Sequence, residues 1–250
     1  MTRARADALL VSSGLAASRT QAQALIMAGR VTTASQRIDK PGTLLPGDTP
    51  LFVAPGPRFV SRGGEKLDHA IAAFTAVGLT VEGKFCLDVG ASTGGFTDCL
   101  LQRGAARVVA VDVGYGQLAA SLRTDPRVDV RERVNARDLR PEDLGAPIDL
   151  VVVDASFIGI GKLIDAIATL LRPGGELVAL IKPQFEAGRR AVARGRGVIR
   201  DEATRLEAVA TARHDVEAAK FDVLAEEDSA LRGPKGNLER FLYARRRDGG

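Results

Sequence analysis

The stretch Phe85-Cys-Leu-Asp-Val-Gly-Ala-Ser-Thr-Gly-Gly-Phe96 decides the fold that we expect for the rest of this 250-residue chain. Residues 85–89 form a largely apolar run that is typical of a short buried strand, and the three glycines that follow allow a tight turn into a helix. Such a turn exposes backbone N–H groups at the helix N-terminus, with no side chain in the way of a ligand. The stretch therefore predicts a strand, a glycine loop and a helix that together bind a ligand.

From Phe85 onward, strand-like and helix-like segments alternate along the chain. This alternation is typical of a doubly wound α/β sheet, which binds ligands at the carboxyl ends of its parallel strands. The predicted strands cover residues 85–89, 108–113, 128–134, 148–154, 176–182, 221–225 and 238–244.

A smaller unit precedes this region. Two short helices are indicated, the first ending at Gly14 and the second beginning at the N-cap residue Ser18 and ending at Gly29. The segment Ala54-Pro-Gly-Pro57 cannot continue a helix or a strand and predicts a domain boundary. We therefore expect an N-terminal domain over residues 1–57, a linker over 58–65 and a second domain over 66–250.

The net charge of +4 is concentrated at the N-terminus. Residues 1–62 contain eight Lys or Arg and three acidic residues, a net charge of +5, which leaves about −1 for residues 63–250. A basic segment ahead of a nearly neutral domain is typical of a nucleic-acid tether, although a merely solvated surface has the same composition. A second basic stretch, with five arginines between Glu186 and Arg200, predicts a mobile loop over an RNA substrate, with an ordinary surface loop as the alternative.

The expected compartment is the cytoplasm. Cys86 and Cys99 lack metal-binding or disulfide spacing and are predicted to be reduced core thiols. No charged and apolar leader opens the chain, and the longest apolar runs are too short to span a bilayer. We expect no membrane role, no bound metal and a monomeric protein.

The glycine loop departs from the dinucleotide fingerprint G-x-G-x-x-G and lacks the Gly-Lys-Ser/Thr of a P-loop. Asp112 ends the next predicted strand, where an acid suits the recognition of ribose hydroxyls. Rossmann oxidoreductases share this arrangement, so a nicotinamide-dependent enzyme stays open at this point. Ser156 has no histidine near it in sequence, and with only His69 and His214 in the chain a serine-hydrolase triad or a histidine-rich metal site is disfavoured.

The N-terminal unit resembles the S4 RNA-binding domain, in which a helix pair presents basic side chains to structured RNA. One departure is Thr32-Thr33-Ala34, where the family commonly has Val-Asn-Gly. The motifs that carry the resemblance are Arg5-Ala-Asp7, Gly14-Leu-Ala-Ala-Ser-Arg19, Ala24-Leu-Ile-Met-Ala-Gly-Arg-Val31, Lys40-Pro41 and Pro46-Gly-Asp48. The residues that we predict to bind RNA are Arg3, Arg5, Arg19, Arg30, Lys40, Arg62, Arg189, Arg190, Arg194 and Arg196.

The string Asp88-Val-Gly-Ala-Ser-Thr-Gly-Gly-Phe96 resembles the loop of class I S-adenosylmethionine methyltransferases of the FtsJ type. Further matches are Asp112-Val-Gly-Tyr-Gly-Gln-Leu118, Asn135-Ala-Arg-Asp138, Asp149-Leu-Val-Val-Val-Asp-Ala-Ser-Phe-Ile158, Leu180-Ile-Lys-Pro-Gln-Phe-Glu186 and Gly233-Pro-Lys-Gly-Asn-Leu-Glu239. With the S4 unit, the chain resembles the hemolysin A (TlyA) family of ribosomal RNA 2′-O-methyltransferases over essentially its whole length.

This resemblance implies a class I, Rossmann-like methyltransferase sheet with a small N-terminal α+β S4 domain, and S-adenosylmethionine as cofactor. The implied cofactor-binding residues are Asp88, Gly90, Ser92, Thr93, Gly94, Gly95, Phe96, Asp112, Asn135 and Asp154.

The resemblance also implies a catalytic Lys-Asp-Lys-Glu tetrad, which falls on Lys66, Asp154, Lys182 and Glu239. Lys182 would be the general base that takes the proton of a ribose 2′-hydroxyl, although a free lysine, with a pKa of about 10.4, is protonated at neutral pH. Without the resemblance, Lys66 and Glu239 would be interpreted as surface residues. Asp154 and Lys182 stand at the ends of apolar strands, where open sheets bind ligands.

Transfer to a base would normally show an Asp/Asn-Pro-Pro-aromatic motif or a catalytic cysteine. The corresponding strand end reads Asp154-Ala-Ser-Phe157, which favours a 2′-hydroxyl acceptor. Members of the resembled family modify cytidines in 16S or 23S RNA, and its shorter members act on the large subunit alone, so the early end of this chain favours 23S RNA. A non-catalytic RNA-binding or ribosome assembly factor and a haemolysin-like activity are the alternative functions.

Overall fold

The chain divides into two separately packed units. The computed structural model describes residues 2–187 and 197–248, and the units are Met1–Pro57 and Arg58–Gly250. The division follows the Pro-rich segment that ends at Pro57, where the ring of each proline fixes the backbone and removes an N–H donor.

The first unit consists of two helices and two small antiparallel sheets. Ser18 accepts a hydrogen bond from the backbone N–H of Gln21 and begins the second helix, as expected. Strand β1 pairs with β3, and β2 pairs with β4. Strands β1 and β3 have only three residues each, too few for an alternating pattern to predict them. The elements are β1 Arg3–Arg5, α1 Ala6–Ser12, α2 Arg19–Met27, β2 Val31–Thr32, β3 Leu44–Pro46 and β4 Phe52–Val53.

Asp7 joins the two helices of the first unit. Its carboxylate is fully buried and accepts hydrogen bonds from Arg5 at 2.9 and 3.0 Å, from Arg19 at 3.2 Å and from Gln23 at 3.0 Å. These donors, with Arg5 as the largest contribution, hold the pKa of Asp7 well below its ordinary value. The same contacts fix two arginines that were predicted to bind RNA.

We expect Asp7→Asn to lower the free energy of unfolding of the first unit by about 1–3 kcal/mol at neutral pH, because buried charged hydrogen bonds are lost. A carboxylate with a depressed pKa stabilises the folded state fully above its unfolded pKa of about 3.9, and this stabilisation is lost on acidification. The difference in free energy of unfolding between the unmodified protein and Asp7→Asn is therefore expected to become smaller in acid. Hydrogen exchange of α1 and α2 in the full chain measures this effect. The control is Asp39→Asn, because Asp39 forms an exposed pair with Arg37 that is worth about 0–1 kcal/mol; equal losses in the two variants would contradict the prediction.

The second unit contains a seven-stranded sheet with helices between most of its strands. The strand order is β10-β11-β9-β8-β5-β6-β7, in which β7, β6, β5, β8 and β9 are parallel and β11 is antiparallel to both of its neighbours. The elements are α3 Arg62–Phe74, β5 Phe85–Val89, α4 Gly95–Gln102, β6 Arg107–Asp112, α5 Ala120–Arg123, β7 Val128–Glu132, α6 Pro141–Leu144, β8 Ile148–Val153, α7 Ile164–Leu170, β9 Leu171–Ile181, α8 Pro183–Glu186, α9 Glu202–Ala218, β10 Phe221–Asp228 and β11 Arg240–Arg246.

Both faces of this sheet are buried. Leu87 and Val89 of β5 belong to one apolar cluster, whereas Cys86 of the same strand and the apolar residues of helix α3 belong to the cluster on the opposite face. Successive side chains of a strand point to opposite faces, so near-continuous apolar strands are required when both faces are covered. The α/β fold class predicted from the sequence is confirmed. Within residues 2–187 and 197–248, no helix is long and apolar enough to cross a membrane.

The segment 58–65, predicted as a linker, is part of the second unit. The hydroxyl of Ser61 caps α3, which begins at Arg62, and Phe59 is buried. Two glycines are needed for close packing at this point, since a Cβ on Gly64 would lie 2.3 Å from Phe59 Cγ and one on Gly95 would lie 2.8 Å from the backbone nitrogen of Gly64. The close approach of α3 to α4 brings Lys66 to the carboxyl edge of the sheet.

Candidate active site

The glycine loop after β5 is hydrogen-bonded to the end of the neighbouring strand β6. The backbone N–H groups of Gly90 and Ala91 donate to the carbonyl oxygen of Val111 at 2.9 and 3.1 Å. Gly90 has a φ of +89°, and a Cβ there would lie 2.8 Å from the carbonyl oxygen of Asp154. A side chain at position 90 would therefore both strain the backbone and push the loop away from β8.

Asp112, at the end of β6, fixes the far side of the loop. One carboxylate oxygen accepts from the backbone N–H of Ser92 at 2.8 Å, and the other accepts from that of Gly114 at 2.7 Å. Each carboxylate oxygen keeps a further lone pair for hydroxyl donors. This arrangement suits the two hydroxyls of a ribose.

A cavity of about 420 Å³, which we call the donor cavity, opens between the loop and the ends of β5, β6 and β8. Among the described residues that line it, only Asp112 and Asp154 carry formal charge. The rest of the wall is uncharged and largely apolar, with Val113, Ala136 and Leu163 among its residues. Two carboxylates and an apolar wall fit a cationic adenosine derivative such as S-adenosylmethionine, whereas the pyrophosphate of a nicotinamide dinucleotide would face like charge.

Five of the predicted cofactor residues line this donor cavity. They are Gly90, Ser92, Asp112, Asn135 and Asp154. Asn135 also accepts a hydrogen bond from the backbone N–H of Arg137 and begins the 3₁₀ turn Ala136–Asp138, so its capping role and its place at the cavity coexist.

The other five predicted cofactor residues lie elsewhere. Thr93, Gly95 and Phe96 line a second cavity described below. Gly94 and Asp88 are absent from the described linings of both cavities. A Cβ on Gly94 would lie 2.2 Å from Leu122 Cδ1, so this glycine is required for packing against α5. Asp88 is fully buried because the side chains of β5 alternate into the interior.

The second cavity, which we call the acceptor cavity, has a volume of about 300 Å³. It shares four lining residues with the donor cavity, namely Gly90, Ser92, Asp154 and Ser156. The structure brings all four residues of the predicted tetrad to its wall, namely Lys66, Asp154, Lys182 and Glu239.

Lys66 and Glu239 form a buried ion pair across the acceptor cavity wall. The Nζ of Lys66 lies 2.5 Å from Oε2 of Glu239, and the two residues are 8% and 1% exposed. The alternative interpretation of both as surface residues is wrong. Transferring two charges from water to the protein interior is costly, so a buried ion pair is weak evidence for a role in stability. Its position in the cavity wall is compatible with a role in binding or catalysis.

Lys182 and Asp154 follow two neighbouring parallel strands, β9 and β8. The Nζ of Lys182 lies 2.7 Å from Oδ1 of Asp154 and 2.9 Å from Oγ of Ser156, and the carbonyl oxygen of Asp154 is 3.4 Å away. The ammonium group is thereby held where the two cavities meet.

Three further residues of this site were missed from the sequence. Ser156 was considered only as a hydrolase nucleophile, and its contact with Lys182 depends on strand pairing. Arg232 lies in the irregular loop between β10 and β11 and lines the acceptor cavity. Phe157 has a φ of +68° and is 90% exposed at the donor cavity, 5.3 Å from the ring of Phe185; an aromatic residue three positions after Asp154 was the available signal.

The residues predicted to bind RNA are spread over both units. Arg62 lines the acceptor cavity, and Lys40 is exposed. Arg30 donates two hydrogen bonds to the carbonyl oxygen of Ala54, and Arg3 donates one to that of Leu44. Arg189, Arg190, Arg194 and Arg196 lie outside the described residues.

Burial raises the pKa of Asp88 to about 7, and the neighbouring carboxylates of Asp154 and Asp112 add to this effect. One Asp88 oxygen accepts from the hydroxyl of Thr97 at 2.6 Å, whereas the other has no hydrogen-bond partner among the described residues. Three carboxylates near one loop favour a cationic ligand above it.

We expect Asp88→Asn to be more stable than the unmodified protein at pH 8 and to lose this advantage at pH 5. A carboxyl with a pKa of about 7 when folded and about 3.9 when unfolded binds its proton more tightly in the folded state, so stability falls as the pH rises between these values. Thermal unfolding of the ligand-free protein between pH 5 and 8 measures the difference. Asp165→Asn, at an exposed position, is the control. A difference in melting temperature between Asp88→Asn and the unmodified protein that does not change with pH would refute the raised pKa of Asp88.

The strand order, the loop and the donor cavity define a class I methyltransferase that uses S-adenosylmethionine, the donor of FtsJ-like methyltransferases and of enzymes that share this fold. The FtsJ-like methyltransferase model matches residues 59–247, and the S4 domain model matches residues 4–49. The chain belongs to the hemolysin A (TlyA) family, which joins these two domains.

Three relatives illustrate this membership. The 16S/23S rRNA (cytidine-2′-O)-methyltransferase TlyA of Mycobacterium tuberculosis is 47% identical over 245 residues, which cover 97% of this chain and 90% of that protein. The 23S rRNA (cytidine-2′-O)-methyltransferase TlyA of Campylobacter jejuni is 35% identical over 74% of this chain and 70% of its own. A solved structure of a candidate hemolysin from Streptococcus thermophilus is 39% identical, with a TM-score of 0.75 over 100% of this chain and 90% of that chain.

Proposed function

We propose that this protein transfers the methyl group of S-adenosylmethionine to the 2′-hydroxyl of a cytidine in ribosomal RNA. The observation that carries the proposal is the opposite charge of two adjoining cavities. The donor cavity has only carboxylates as charged liners, whereas the acceptor cavity has four basic side chains and two acidic ones among the described residues. A cationic donor suits the first cavity, and a polyanionic acceptor suits the second.

The meeting point of the cavities supports in-line transfer. S-adenosylmethionine, when bound, supplies a methyl group already activated on a sulfonium. Asp154 lines both cavities and holds Lys182 at 2.7 Å, so a hydroxyl placed in the acceptor cavity would have both side chains beside it. Lys182 would act as general base, and the Lys66–Glu239 pair would orient the ribose.

The relative sizes of the two effects favour positioning as the larger contribution. A well-placed general base accelerates a reaction by about 10²–10⁴-fold, whereas orienting two reactants contributes roughly 7–11 kcal/mol at best. A preformed cavity with the buried Lys66–Glu239 pair in its wall provides such orientation before the substrate arrives.

The proposed target is 23S RNA, with 16S RNA as the second candidate. The two methyltransferase relatives are named for 16S/23S and for 23S RNA, so 23S RNA is the substrate common to both. The S4 unit supports an RNA substrate, because Arg5 and Arg19 remain 45% and 59% exposed while Asp7 holds them in place. Ribosomal subunits are cytoplasmic, and we propose the same compartment for this chain.

Two other functions make different predictions. A ribosome assembly factor that keeps the fold would bind RNA without transferring methyl groups. The Lys-Asp-Lys-Glu tetrad in the wall of the acceptor cavity would then have no catalytic role. A haemolysin-like activity would require lysis of erythrocyte membranes by the purified chain.

We expect the purified protein and methyl-labelled S-adenosylmethionine to label isolated large ribosomal subunits, with the label at a single alkali-resistant linkage after a cytidine. Small subunits and both free RNAs are tested in parallel. Label confined to 16S RNA would overturn the 23S assignment. Label that is lost in alkali, or that is attached to the nucleobase, would overturn the 2′-hydroxyl assignment.

The matched control is Lys182→Ala, which is expected to abolish methylation while S-adenosylhomocysteine affinity stays largely intact. Near-normal methylation by this variant would refute the role of Lys182 as general base.

Arg232 is proposed to bind a phosphate beside the target ribose. It is exposed at the acceptor cavity, its guanidinium donates to the carbonyl oxygen of Gly236 at 3.0 Å, and no acidic group forms an ion pair with it in the described part of the chain. The loop thus holds a positive charge without neutralising it.

Arg232→Ala is expected to raise the KM for ribosomal subunits about tenfold, since one charged hydrogen bond is worth about 1.5–3 kcal/mol. The slope of the logarithm of the RNA-binding constant against the logarithm of the salt concentration should decrease in magnitude by about one, as expected for the loss of one phosphate contact. The control is Arg247→Ala, because Arg247 pairs with Asp222 at 2.7 Å at the opposite edge of the sheet. An unchanged KM and salt slope for Arg232→Ala would remove Arg232 from the RNA-binding surface.

A further inference from the structure

Among the described residues, the amino group of Lys182 has three oxygen neighbours of two chemical kinds. Oδ1 of Asp154 at 2.7 Å and the carbonyl oxygen of Asp154 at 3.4 Å can only accept hydrogen bonds. Oγ of Ser156 at 2.9 Å belongs to a hydroxyl, which can both accept and donate. The distinction matters because a general base must present a lone pair.

A protonated lysine has three N–H donors. Two of these neighbours, the carbonyl oxygen of Asp154 and Oγ of Ser156, accept hydrogen bonds from Nζ, whereas Oδ1 of Asp154 forms an ion pair with it. A neutral lysine has two N–H donors and one lone pair. Neither of the two oxygens of Asp154 can donate a hydrogen bond to that lone pair. Ser156 is therefore the one neighbour of the three that can donate a proton to the lone pair.

Ser156, like Asp154, faces both cavities. It is exposed, it lines the donor cavity and the acceptor cavity, and it lies two residues after Asp154, which follows strand β8. A serine hydroxyl that donates to an amine keeps lone pairs for another donor. A ribose hydroxyl in the acceptor cavity could therefore donate to Oγ of Ser156 while Ser156 donates to Lys182.

We propose that Ser156 relays the proton of the 2′-hydroxyl to Lys182 during methyl transfer, an inference that rests on the function proposed above. The 2′-oxygen forms a bond to the methyl carbon as the bond from that carbon to the sulfonium sulfur breaks. The 2′-hydroxyl proton passes to Oγ of Ser156, and the original Ser156 proton passes to Nζ of Lys182. Ser156 ends as a hydroxyl, Lys182 as an ammonium and the donor as a neutral thioether, so the single positive charge is conserved.

The other lysine of the cavity cannot take this role in the observed arrangement. Lys66 Nζ is 2.5 Å from Oε2 of Glu239, and both residues are buried. Glu239 Oε1 faces Gly233, where an added Cβ would lie 2.5 Å from it. This pair contains no hydroxyl that could pass a proton on.

Single-turnover methylation of ribosomal subunits with Ser156→Ala, Ser156→Thr and Lys182→Ala tests the relay. Loss of the hydroxyl in Ser156→Ala is expected to slow methyl transfer about 100-fold or more, the lower end of the effect of a general base. Ser156→Thr restores a hydroxyl and is expected to recover most of the rate. S-adenosylhomocysteine affinity and melting temperature of Ser156→Ala should match those of the unmodified protein.

The rate in mixtures of H₂O and D₂O separates a relay from a merely structural serine. Two protons move in the relay, so a plot of the rate of the unmodified protein against the D₂O fraction should bow below the straight line that joins its end points. The corresponding plot for Ser156→Ala should be linear. The control Ser121→Ala removes an exposed hydroxyl that lines neither cavity, and its plot should remain curved. A linear plot for the unmodified protein, or an undiminished rate for Ser156→Ala, overturns the relay. Absence of methyl transfer by the unmodified protein on every subunit overturns the proposed function itself and the relay with it.

Discussion

The pairing of β8 with β9 is the constraint on which the candidate site depends. These strands are parallel neighbours, so their carboxyl ends lie at one edge of the sheet and bring Asp154 within 2.7 Å of Lys182. The carbonyl oxygen of Asp154 also limits the space at Gly90. One strand end therefore shapes the donor loop and holds the proposed base. The donor and acceptor cavities adjoin because both are built against this residue.

Charge distinguishes the two halves of the site. Among the described residues, only carboxylates carry charge on the wall of the donor cavity, and Asp88 beneath the loop has a pKa of about 7 because burial and nearby acids disfavour its ionised form. The acceptor cavity adds four basic groups around the same Asp154. A cation on one side and a polyanion on the other are each stabilised, and a dinucleotide with its own phosphates suits neither the walls nor the loop.

Buried polar groups in this protein join segments that are distant in sequence. Asp7 ties α1 to α2 in the first unit, and Glu239 ties β11 to α3 through Lys66 in the second. A buried carboxylate without its partner would be costly, so each pair restricts its elements to one arrangement. In the first unit the result is a fixed pair of exposed arginines, and in the second it is a preformed wall for the acceptor.

Much of this arrangement was predictable from local pattern. Apolar strands, helix caps and glycine turns are properties of a few consecutive residues, which is why the α/β class and the strand from Phe85 to Val89 were predicted correctly. The approach of Lys66 to Glu239 involves residues 173 positions apart, and motif resemblance rather than periodicity predicted it. Gly64, in the segment predicted as a linker, is buried in helix α3, because a residue without a side chain suits a close contact as well as a flexible turn.

The sequence by itself determined the sheet, the two domains and the residue types of the site, because secondary structure depends on the spacing of apolar and turn-forming residues along the chain. Only the tertiary structure decided that Asp88 is interior, that Arg232 faces the acceptor cavity and that Ser156 contacts Lys182. The physical reason is that side-chain contacts across a sheet depend on strand order and register. A one-residue change of register would turn Lys182 away from Asp154 without altering any local pattern.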